Sequence, residues 1–236
     1  MKTDINCDAG EISREIDNSI LPFVSSCNVC CGTHAGDEQL ITGTIKKAIE
    51  LGVKVGAHPS WPDRENFGRQ TMNLPLDQLK VSLREQILFV KSITESNGDR
   101  MQHVKPHGAL YHDVLRKPDL ATLLIEIVSA VDPTLAIYGL AGSGFAELCE
   151  SSGLRFVHEA FGDRRYESAT VLRARSKGDG IIESEAEFCD HVGRLIEGAV
   201  IDVSGQVHQI PVQSICIHSD TPNAINFARL AHEIAK

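Results

Sequence analysis

The sequence lacks a long apolar segment and an excess of positive charge. No stretch approaches the roughly 20 apolar residues of a membrane-spanning helix, so we expect no membrane anchor. The 236 residues carry a formal net charge of −9, whereas nucleic acids and anionic membranes are bound by basic surfaces. We therefore expect neither as a partner. The first residues run directly into a predicted strand, so we expect no signal sequence.

Three common site motifs are also missing. The sequence has no G-x-x-x-x-G-K-[ST] phosphate loop and no G-x-S-x-G nucleophile elbow. Gly142-Ser143-Gly144 lacks the third glycine of a dinucleotide fingerprint. The residues themselves therefore give no sign of a nucleotide site.

Seven cysteines are scattered through strand-like runs, and this odd number is typical of reduced thiols in a cytoplasmic protein. Cys27 and Cys30 have C-x-x-C spacing, but they lie in a predicted strand, where positions i and i+3 point to opposite faces. A second paired-thiol motif for zinc is missing. Packing is therefore favoured over a redox pair or a structural metal.

The sequence does contain short apolar runs that end in acidic, basic or imidazole side chains. Runs of this length are typical of buried strands, and the stretches between them are typical of helices. Six of them lead into Asp8, His34, His58, Lys105-Pro106-His107, His158-Glu159 and His218-Ser219-Asp220. Alternating strands and helices form a parallel sheet or barrel whose sites lie at the carboxyl ends of the strands. The pattern predicts an enzyme.

One domain covering residues 1–236 is predicted, since we find no linker or internal repeat. The predicted strands cover residues 2–7, 28–31, 53–57, 102–105, 134–140, 154–158 and 213–217. The predicted helices cover residues 18–25, 37–51, 76–96, 120–131, 146–151, 185–197 and 222–235. Thr221 is a candidate N-cap of the last helix. A hairpin at Ser204-Gly205 and a long loop over residues 59–73 complete the prediction.

A single histidine at a strand end is more often structural than catalytic. Several histidines and acids at the carboxyl ends of neighbouring strands can instead form one site. Converging imidazoles and acids can act as general acid and base, hold water, or bind a divalent metal. The residues that would converge are His34, His58, His107, His218, Asp8, Asp37, Glu159, Asp163 and Asp220. For Asp37, capping the following helix is an equally good interpretation.

Two segments are dense in polar groups. Lys105 ends an apolar strand, where its ammonium needs an anionic partner or a polar cavity, and Gly108 would let the backbone approach a ligand. Residues 159–166 combine two acids, two arginines and a tyrosine, a set suited to binding a carboxylate. A structural ion pair for the lysine and a solvated loop for the second segment remain alternatives.

These segments resemble the LamB/YcsF family. The resemblance is carried by Asn6-Cys7-Asp8-Ala9-Gly10-Glu11, residues 25–37, Gly56-Ala57-His58-Pro59, Phe67-Gly68-Arg69, residues 103–111, 159–166 and 216–222. It implies a distorted seven-stranded (β/α) barrel similar to the polysaccharide deacetylase type. It also implies ATP-dependent hydrolysis of the lactam of 5-oxo-L-proline to L-glutamate, together with 5-oxoprolinase subunits B and C.

The resemblance and the strand-end pattern together give a candidate site. The candidate catalytic residues are Asp8, His34, His58, Lys105, His107, Glu159, His218 and Asp220. The candidate substrate-binding residues are Asn6, Asp37, Arg69, Tyr111, Asp163 and Arg164. In this hypothesis Lys105 and Arg164 hold the substrate carboxylate or a phosphoryl group, while Asp8 with His58 directs water. ATP, with Mg²⁺, is the implied cofactor.

Two alternatives remain open from the sequence. One is a metal-dependent, deacetylase-like amide hydrolase with Asp8, His34 and His58 as ligands. The other is a non-catalytic subunit that binds the lactam. The chain also departs from the family pattern at Ile12-Ser13-Arg14, Gly162, Gln70 and Ser219, which leaves the substrate open. A metal on this chain and a homo-oligomer are not decided by the sequence.

Overall fold

The computed structural model describes residues 3–236, so the predicted start of the first strand at Lys2 lies outside the described residues. The strands are β1 Asp4–Ala9, β2 Ser26–Cys30, β3 Lys54–His58, β4 His103–Val104, β5 Ala136–Leu140, β6 Arg155–Phe161, β7 Tyr166–Ser168, β8 Val171–Leu172, β9 Ala199–Ile201, β10 Val207–Gln209 and β11 Ser214–Ile217. The helices are α1 Arg14–Ile20, α2 Glu38–Glu50, α3 Leu76–Ser96, α4 Gly108–Arg116, α5 Pro118–Val131, α6 Gly144–Ser151, α7 Glu185–Ile196 and α8 Ala224–Ile234.

Seven strands of the described chain, all parallel, close into a barrel in the order β1-β11-β6-β5-β4-β3-β2. This is the distorted seven-stranded (β/α) barrel expected from the sequence. β7 with β8 and β9 with β10 form two small separate sheets. The second is the predicted hairpin, and Gly205 takes the left-handed φ of 88° in its turn.

The strands of the barrel alternate between an apolar and a polar face. In β1, Ile5, Cys7 and Ala9 belong to the hydrophobic core, whereas Asn6 and Asp8 lie between them in the chain. Successive side chains of a strand point to opposite sides, so the two polar residues point into the barrel. The apolar residues face the surrounding helices.

Hydrogen bonds connect the polar groups across the interior of the barrel. Asn6 Nδ2 donates to Glu159 Oε1 at 2.9 Å, and Asn28 Nδ2 donates to Asn6 Oδ1 at 2.8 Å and to Asp8 Oδ1 at 2.9 Å. The ring of His103 is bonded to Asn28 Oδ1 at 2.8 Å. Burying a polar group is costly unless it is hydrogen-bonded, and this network provides partners for these groups, although His103 Nδ1 has none among the described residues.

Four local predictions are wrong. The first helix begins at Arg14 and not at Asn18, because Ser13 caps its N-terminus. β6 runs to Phe161, because Glu159 lies inside the strand with its side chain in the polar interior. α4 is absent from the sequence prediction, because its first residue, Gly108, follows a proline by two positions and is typical of a loop. Thr221 does not cap the last helix; the N-cap is Asn223, and the Thr221 hydroxyl donates to the His218 carbonyl.

Two other expectations can be compared with residues 3–236. In that range, no helix is both long and apolar enough to cross a bilayer. The cysteines of that range are free, and all but Cys189 are buried, consistent with packing.

Candidate active site

A cavity of about 240 Å³ opens where the barrel strands end. Eight of the candidate residues line it: Asp8, His58, Arg69, Lys105, His107, Tyr111, Arg164 and His218. Arg175, which the sequence analysis did not single out, lines it too. The lining residues therefore include four cationic side chains and one carboxylate, that of Asp8. This excess of positive charge suits an anionic ligand.

Lys105 lies at the bottom of the cavity, between the cavity and the barrel interior, with only 2% of its surface exposed. Its Nζ is 3.1 Å from Asp8 Oδ1, 2.9 Å from Glu159 Oε1 and 3.0 Å from the Sγ of Cys216. Burial alone would lower the pKa of this lysine, but the neighbouring anionic groups, first Asp8, raise it well above its ordinary value. The ammonium is therefore charged and already paired inside the protein.

Asp8 is ionised for the complementary reason. Burial alone would raise its pKa, but the charges of His58 and Lys105 outweigh burial and hold the pKa well below its usual range. Its Oδ1 also accepts a hydrogen bond from Asn28 and lies 3.4 Å from His58 Nε2.

Three histidines and a glutamate are packed beside this ion pair. The rings of His34 and His107 are stacked with centroids 3.8 Å apart, and His58 meets both edge-on. Glu11 Oε1 lies 2.9 Å from His34 Nε2, 3.4 Å from His107 Nδ1 and 4.0 Å from His58 Nε2. Burial raises the pKa of Glu11 to about 8, with a further contribution from the charge of Asp8.

Backbone carbonyl groups fix the orientation of two of these rings. His58 Nδ1 is 2.7 Å from the carbonyl oxygen of Lys105, and His107 Nε2 is 2.8 Å from the carbonyl oxygen of Phe67. The remaining ring nitrogens, His58 Nε2 and His107 Nδ1, are 3.0 Å apart. Burial lowers the pKa of His107 well below its ordinary value.

His218 and Asp163 form a second carboxylate–imidazole pair at the cavity, and a ring nitrogen of His218 lies within 4.8 Å of the Asp8 carboxylate. His218 Nδ1 is 2.9 Å and 3.1 Å from the two oxygens of Asp163, and the His218 ring stacks on Phe161. A carboxylate only accepts, so Nδ1 carries the proton and Nε2 is left for the cavity. Burial would raise the pKa of Asp163, but the charge of His218 outweighs it and lowers the pKa.

Asp220 pairs with two arginines that line the cavity, Arg69 and Arg175. It accepts hydrogen bonds from Arg175 at 3.0 Å and 3.2 Å and from Arg69. The hydrogen bonds and charge of Arg175 outweigh burial and lower the pKa of Asp220 to about 2. Arg164 is less free, because its Nε and Nη2 donate to the carbonyl groups of Gly180 and Arg173.

Six candidates do not line the cavity. Asn6 and Glu159 are enclosed in the barrel interior, and Asp163 is fully buried behind His218. Asp220 lies behind the two arginines that it binds. Direct substrate contact by these groups is therefore not supported by their positions.

The remaining two candidates that do not line the cavity are His34 and Asp37. His34 is buried behind Glu11 and His107, and burial lowers its pKa to about 3. Asp37 is exposed and caps α2, where its carboxylate accepts from the Leu40 N–H at 2.8 Å. For Asp37, the helix-capping interpretation is the one the structure supports.

Two groups of ligand atoms within the described chain are close enough to hold a metal ion. One consists of Asp8, Cys216 and His218, and the other of Glu11, His58 and His107; within each group the atoms lie within 4.8 Å of one another. The set with Asp8, His34 and His58 named in the sequence analysis does not form such a group, because His34 Nε2 is directed at Glu11.

Comparison with known proteins agrees with this arrangement. The sequence pattern of the LamB/YcsF family matches residues 3–236. The chain belongs to the LamB/YcsF family. It is 43% identical over 227 residues to the A subunit of 5-oxoprolinase from Histophilus somni strain 129Pt, covering 96% of this chain and 92% of that protein. It is 39% identical over 232 residues to the corresponding 5-oxoprolinase protein of Bacillus cereus strain Q1, with the same coverage.

A solved structure gives the same result. The crystal structure of a lactam utilization protein from Thermus thermophilus superposes with a TM-score of 0.91 at 36% identity. The superposition covers 99% of this chain and 96% of that one. The two proteins therefore share their fold over nearly the whole of both chains.

One departure from the LamB/YcsF pattern now has a structural explanation. Ser13 is the N-cap of α1, and its hydroxyl accepts from the Ile16 N–H at 3.4 Å. A serine is well suited to this position because its side chain satisfies a free helical N–H. The segment after Glu11 is thus the beginning of a helix.

Sequence reasoning missed three site residues. Glu11 lies two residues after β1 and could have been found by the same strand-end rule that selected Asp8. Cys216 was assigned to packing, yet its thiol faces the Lys105 ammonium. Arg175 begins a short 3₁₀ helix, Arg175–Lys177, and belongs to no motif, so no signal in the sequence alone marks it.

Proposed function

We propose that this chain is the A subunit of a cytoplasmic, ATP-dependent 5-oxoprolinase. It would hydrolyse the lactam of 5-oxo-L-proline to L-glutamate together with subunits B and C, with residues 1–236 acting as one barrel domain. The names of the relatives and of the structural neighbour support this substrate. The observation that carries the proposal is a small cavity that combines cationic side chains with a carboxylate–imidazole pair.

The cationic side of the cavity would bind the substrate carboxylate. Arg69 and Arg175 are held side by side on Asp220, which fixes both guanidinium groups at the rim. Arginine is well suited to this task because its planar donors match the geometry of a carboxylate. Lys105 is already paired with two carboxylates, so we assign carboxylate binding to the arginines and not to this lysine.

Hydrolysis requires a water oxygen to bond to the ring carbonyl carbon while the carbon–nitrogen bond breaks. His218 Nε2 would take the proton of that water and deliver it to the departing ring nitrogen, and Asp163 would stabilise the imidazolium in between. Tyr111 would donate a hydrogen bond to the lactam oxygen, around which negative charge develops. Its hydroxyl is buried near the Glu159 carboxylate, and burial and this carboxylate raise its pKa well above the ordinary value, so it stays protonated.

A lactam is a resonance-stabilised amide, and transfer of the γ-phosphoryl group of ATP to its oxygen, with ADP leaving, would make the ring carbon electrophilic. Addition of water and cleavage of the carbon–nitrogen bond would then give an acyl phosphate, and a second water would release inorganic phosphate and L-glutamate. The cavity of about 240 Å³ is below the roughly 300–1,000 Å³ of pockets for drug-sized ligands. It suits a compact molecule such as 5-oxoproline and does not suit a whole nucleotide. We therefore place ATP and its Mg²⁺ outside this cavity, in the complex with the other subunits.

The test is reconstitution of the chain with its candidate subunits B and C, followed by measurement of glutamate formed from 5-oxoproline. Formation that requires both ATP and this chain is expected. Glutamate formed at the same rate without nucleotide, or without this chain, would contradict the proposal.

A pair of variants isolates the role of the carboxylate–imidazole pair. His218→Asn is expected to lower turnover by a factor of about 100 or more, because a general acid–base group contributes about 10²–10⁴-fold. His208→Asn is the matched control, since His208 also pairs with an aspartate, Asp202, at 2.8 Å. The two histidine side chains are 16% and 19% exposed, so their environments are comparable. Equal turnover in both variants would exclude His218 from the reaction.

A further inference from the structure

The two facing nitrogens of His58 and His107 need a positively charged group between them. His58 Nδ1 and His107 Nε2 each lie against a backbone carbonyl oxygen, at 2.7 Å and 2.8 Å. A carbonyl only accepts, so both of these nitrogens carry the ring proton. In the neutral rings, His58 Nε2 and His107 Nδ1 therefore present lone pairs to each other at 3.0 Å. Such an arrangement is stable only with a shared proton or a metal ion.

The surrounding backbone is built to maintain this orientation. Phe67, whose carbonyl fixes His107, has a φ of 56°, a left-handed conformation that is strained for a phenylalanine. Hydrogen bonds from the second ring nitrogen to backbone carbonyls are the usual way in which proteins orient histidine ligands of metals.

A carboxylate completes the set. Glu11 Oε1 lies 3.4 Å from His107 Nδ1 and 4.0 Å from His58 Nε2. An ion with tetrahedral bonds of about 2.0–2.1 Å separates its ligand atoms by about 3.3–3.4 Å. The three observed separations, from 3.0 to 4.0 Å, bracket this value. His34 donates to the same glutamate oxygen from behind, at 2.9 Å.

The charge balance of the region also favours a divalent cation. The side chains of Asp8, Glu11 and Glu159 are each at most 7% exposed, and Lys105 is the cation that pairs with two of them. Glu11, the third, has no lysine or arginine within ion-pair distance among the described residues, only the three histidines, so a cation bound there would give its carboxylate a counter-ion.

We propose that Glu11, His58 and His107 form a binding site for a divalent transition-metal ion, with Zn²⁺ as the best match to two imidazoles and a carboxylate. His58 and His107 line the cavity, so a ligand position would remain open towards it. The other group, Asp8 with Cys216 and His218, is a poorer site, because the Lys105 ammonium already lies 3.1 Å from Asp8 and 3.0 Å from Cys216.

The site can be tested without any activity measurement. The chain is freed of metal with a chelator and titrated with Zn²⁺ by calorimetry, and with Co²⁺ by visible absorption. We expect a single ion per chain, an absorption spectrum of a low-coordinate Co²⁺ site, and a higher Tm in the presence of Zn²⁺.

Variants assign the ion to these residues. His107→Ala and Glu11→Gln are each expected to weaken Zn²⁺ affinity by more than about 100-fold, because each removes a ligand. His34→Ala is expected to weaken it by about 10–100-fold, the range for groups that only orient a ligand. His208→Ala and Cys216→Ser should bind the ion like the unmodified chain. Glu11→Gln preserves side-chain size, so it remains informative if His107→Ala does not fold.

Two results would overturn the proposal. The first is that the unmodified chain binds none of Zn²⁺, Co²⁺ and Mn²⁺ in stoichiometric amount, while ¹⁵N spectra of labelled histidine show a proton shared by His58 Nε2 and His107 Nδ1. The second is stoichiometric binding that is unchanged in both His107→Ala and Glu11→Gln.

Discussion

Removal of the buried ammonium at Lys105 should destabilise the protein as a whole, in addition to any effect on turnover. Its Nζ lies 3.1 Å and 2.9 Å from the carboxylates of Asp8 and Glu159. At such distances each pair of unit charges interacts by about 5 kcal/mol if the effective dielectric constant is about 20. The desolvation of the lysine offsets part of this. We therefore expect Lys105→Met to lower the free energy of unfolding by about 3–5 kcal/mol, and the Tm by about 6–20 °C.

The assay is urea and thermal denaturation followed by circular dichroism, with two comparison variants. Lys80→Met removes an exposed pair with Glu126, so a loss below about 1 kcal/mol is expected. Lys105→Met combined with Glu159→Gln removes the charge left unpaired, so the double variant should recover part of the loss, with a coupling energy of about 1–3 kcal/mol. The reasoning is refuted if Lys105→Met unfolds at the same temperature as Lys80→Met, or if the two losses simply add.

Three further predictions concern single positions. Gly56→Ala should destabilise the fold by about 1–3 kcal/mol in urea denaturation, because a Cβ there would overlap the buried ring of His103; a smaller effect would show that the ring can move. The pKa of Asp220 is lowered to about 2, so its pairing with Arg175 stabilises the fold above about pH 4, and this contribution of about 2 kcal/mol is lost as pH falls through about 2. The Asp220→Asn variant should therefore have a lower free energy of unfolding at pH 7, and it should lose less of that free energy than the unmodified chain between pH 4 and pH 2. If the free energies of unfolding of the two proteins change in parallel with pH, the pairing with Arg175 is not the cause. Tyr111→Phe should keep its Tm but turn over about 100-fold more slowly, and normal turnover would exclude the hydroxyl from the reaction.

The fold was predictable because its strands are short apolar runs at regular intervals, and such runs are recognisable without tertiary information. The strand-end rule also selected most of the residues that line the cavity. Lys105, His58 and His218 are far apart in the chain, and the closed barrel brings them to one rim.

What could not be predicted depends on contacts between distant segments. Asp163 looks like a candidate for direct substrate binding until its position behind His218 is known. Asn6 lies in an apolar run, and only the closure of the barrel shows that its side chain meets Glu159. α4 follows a proline and begins at a glycine, so its formation rests on tertiary packing of Leu110 and not on local propensity.

The hydrogen-bonded interior of the barrel limits how this protein can be changed. In a barrel filled with aliphatic side chains, residues of similar volume can be exchanged with small losses. Here the axis is occupied by amides, an imidazole and ions, and side chains such as Asn28 and His103 are hydrogen-bonded to one another across it. Selection for higher stability should therefore accumulate substitutions in the layer between strands and helices, while the axis stays fixed in evolved variants.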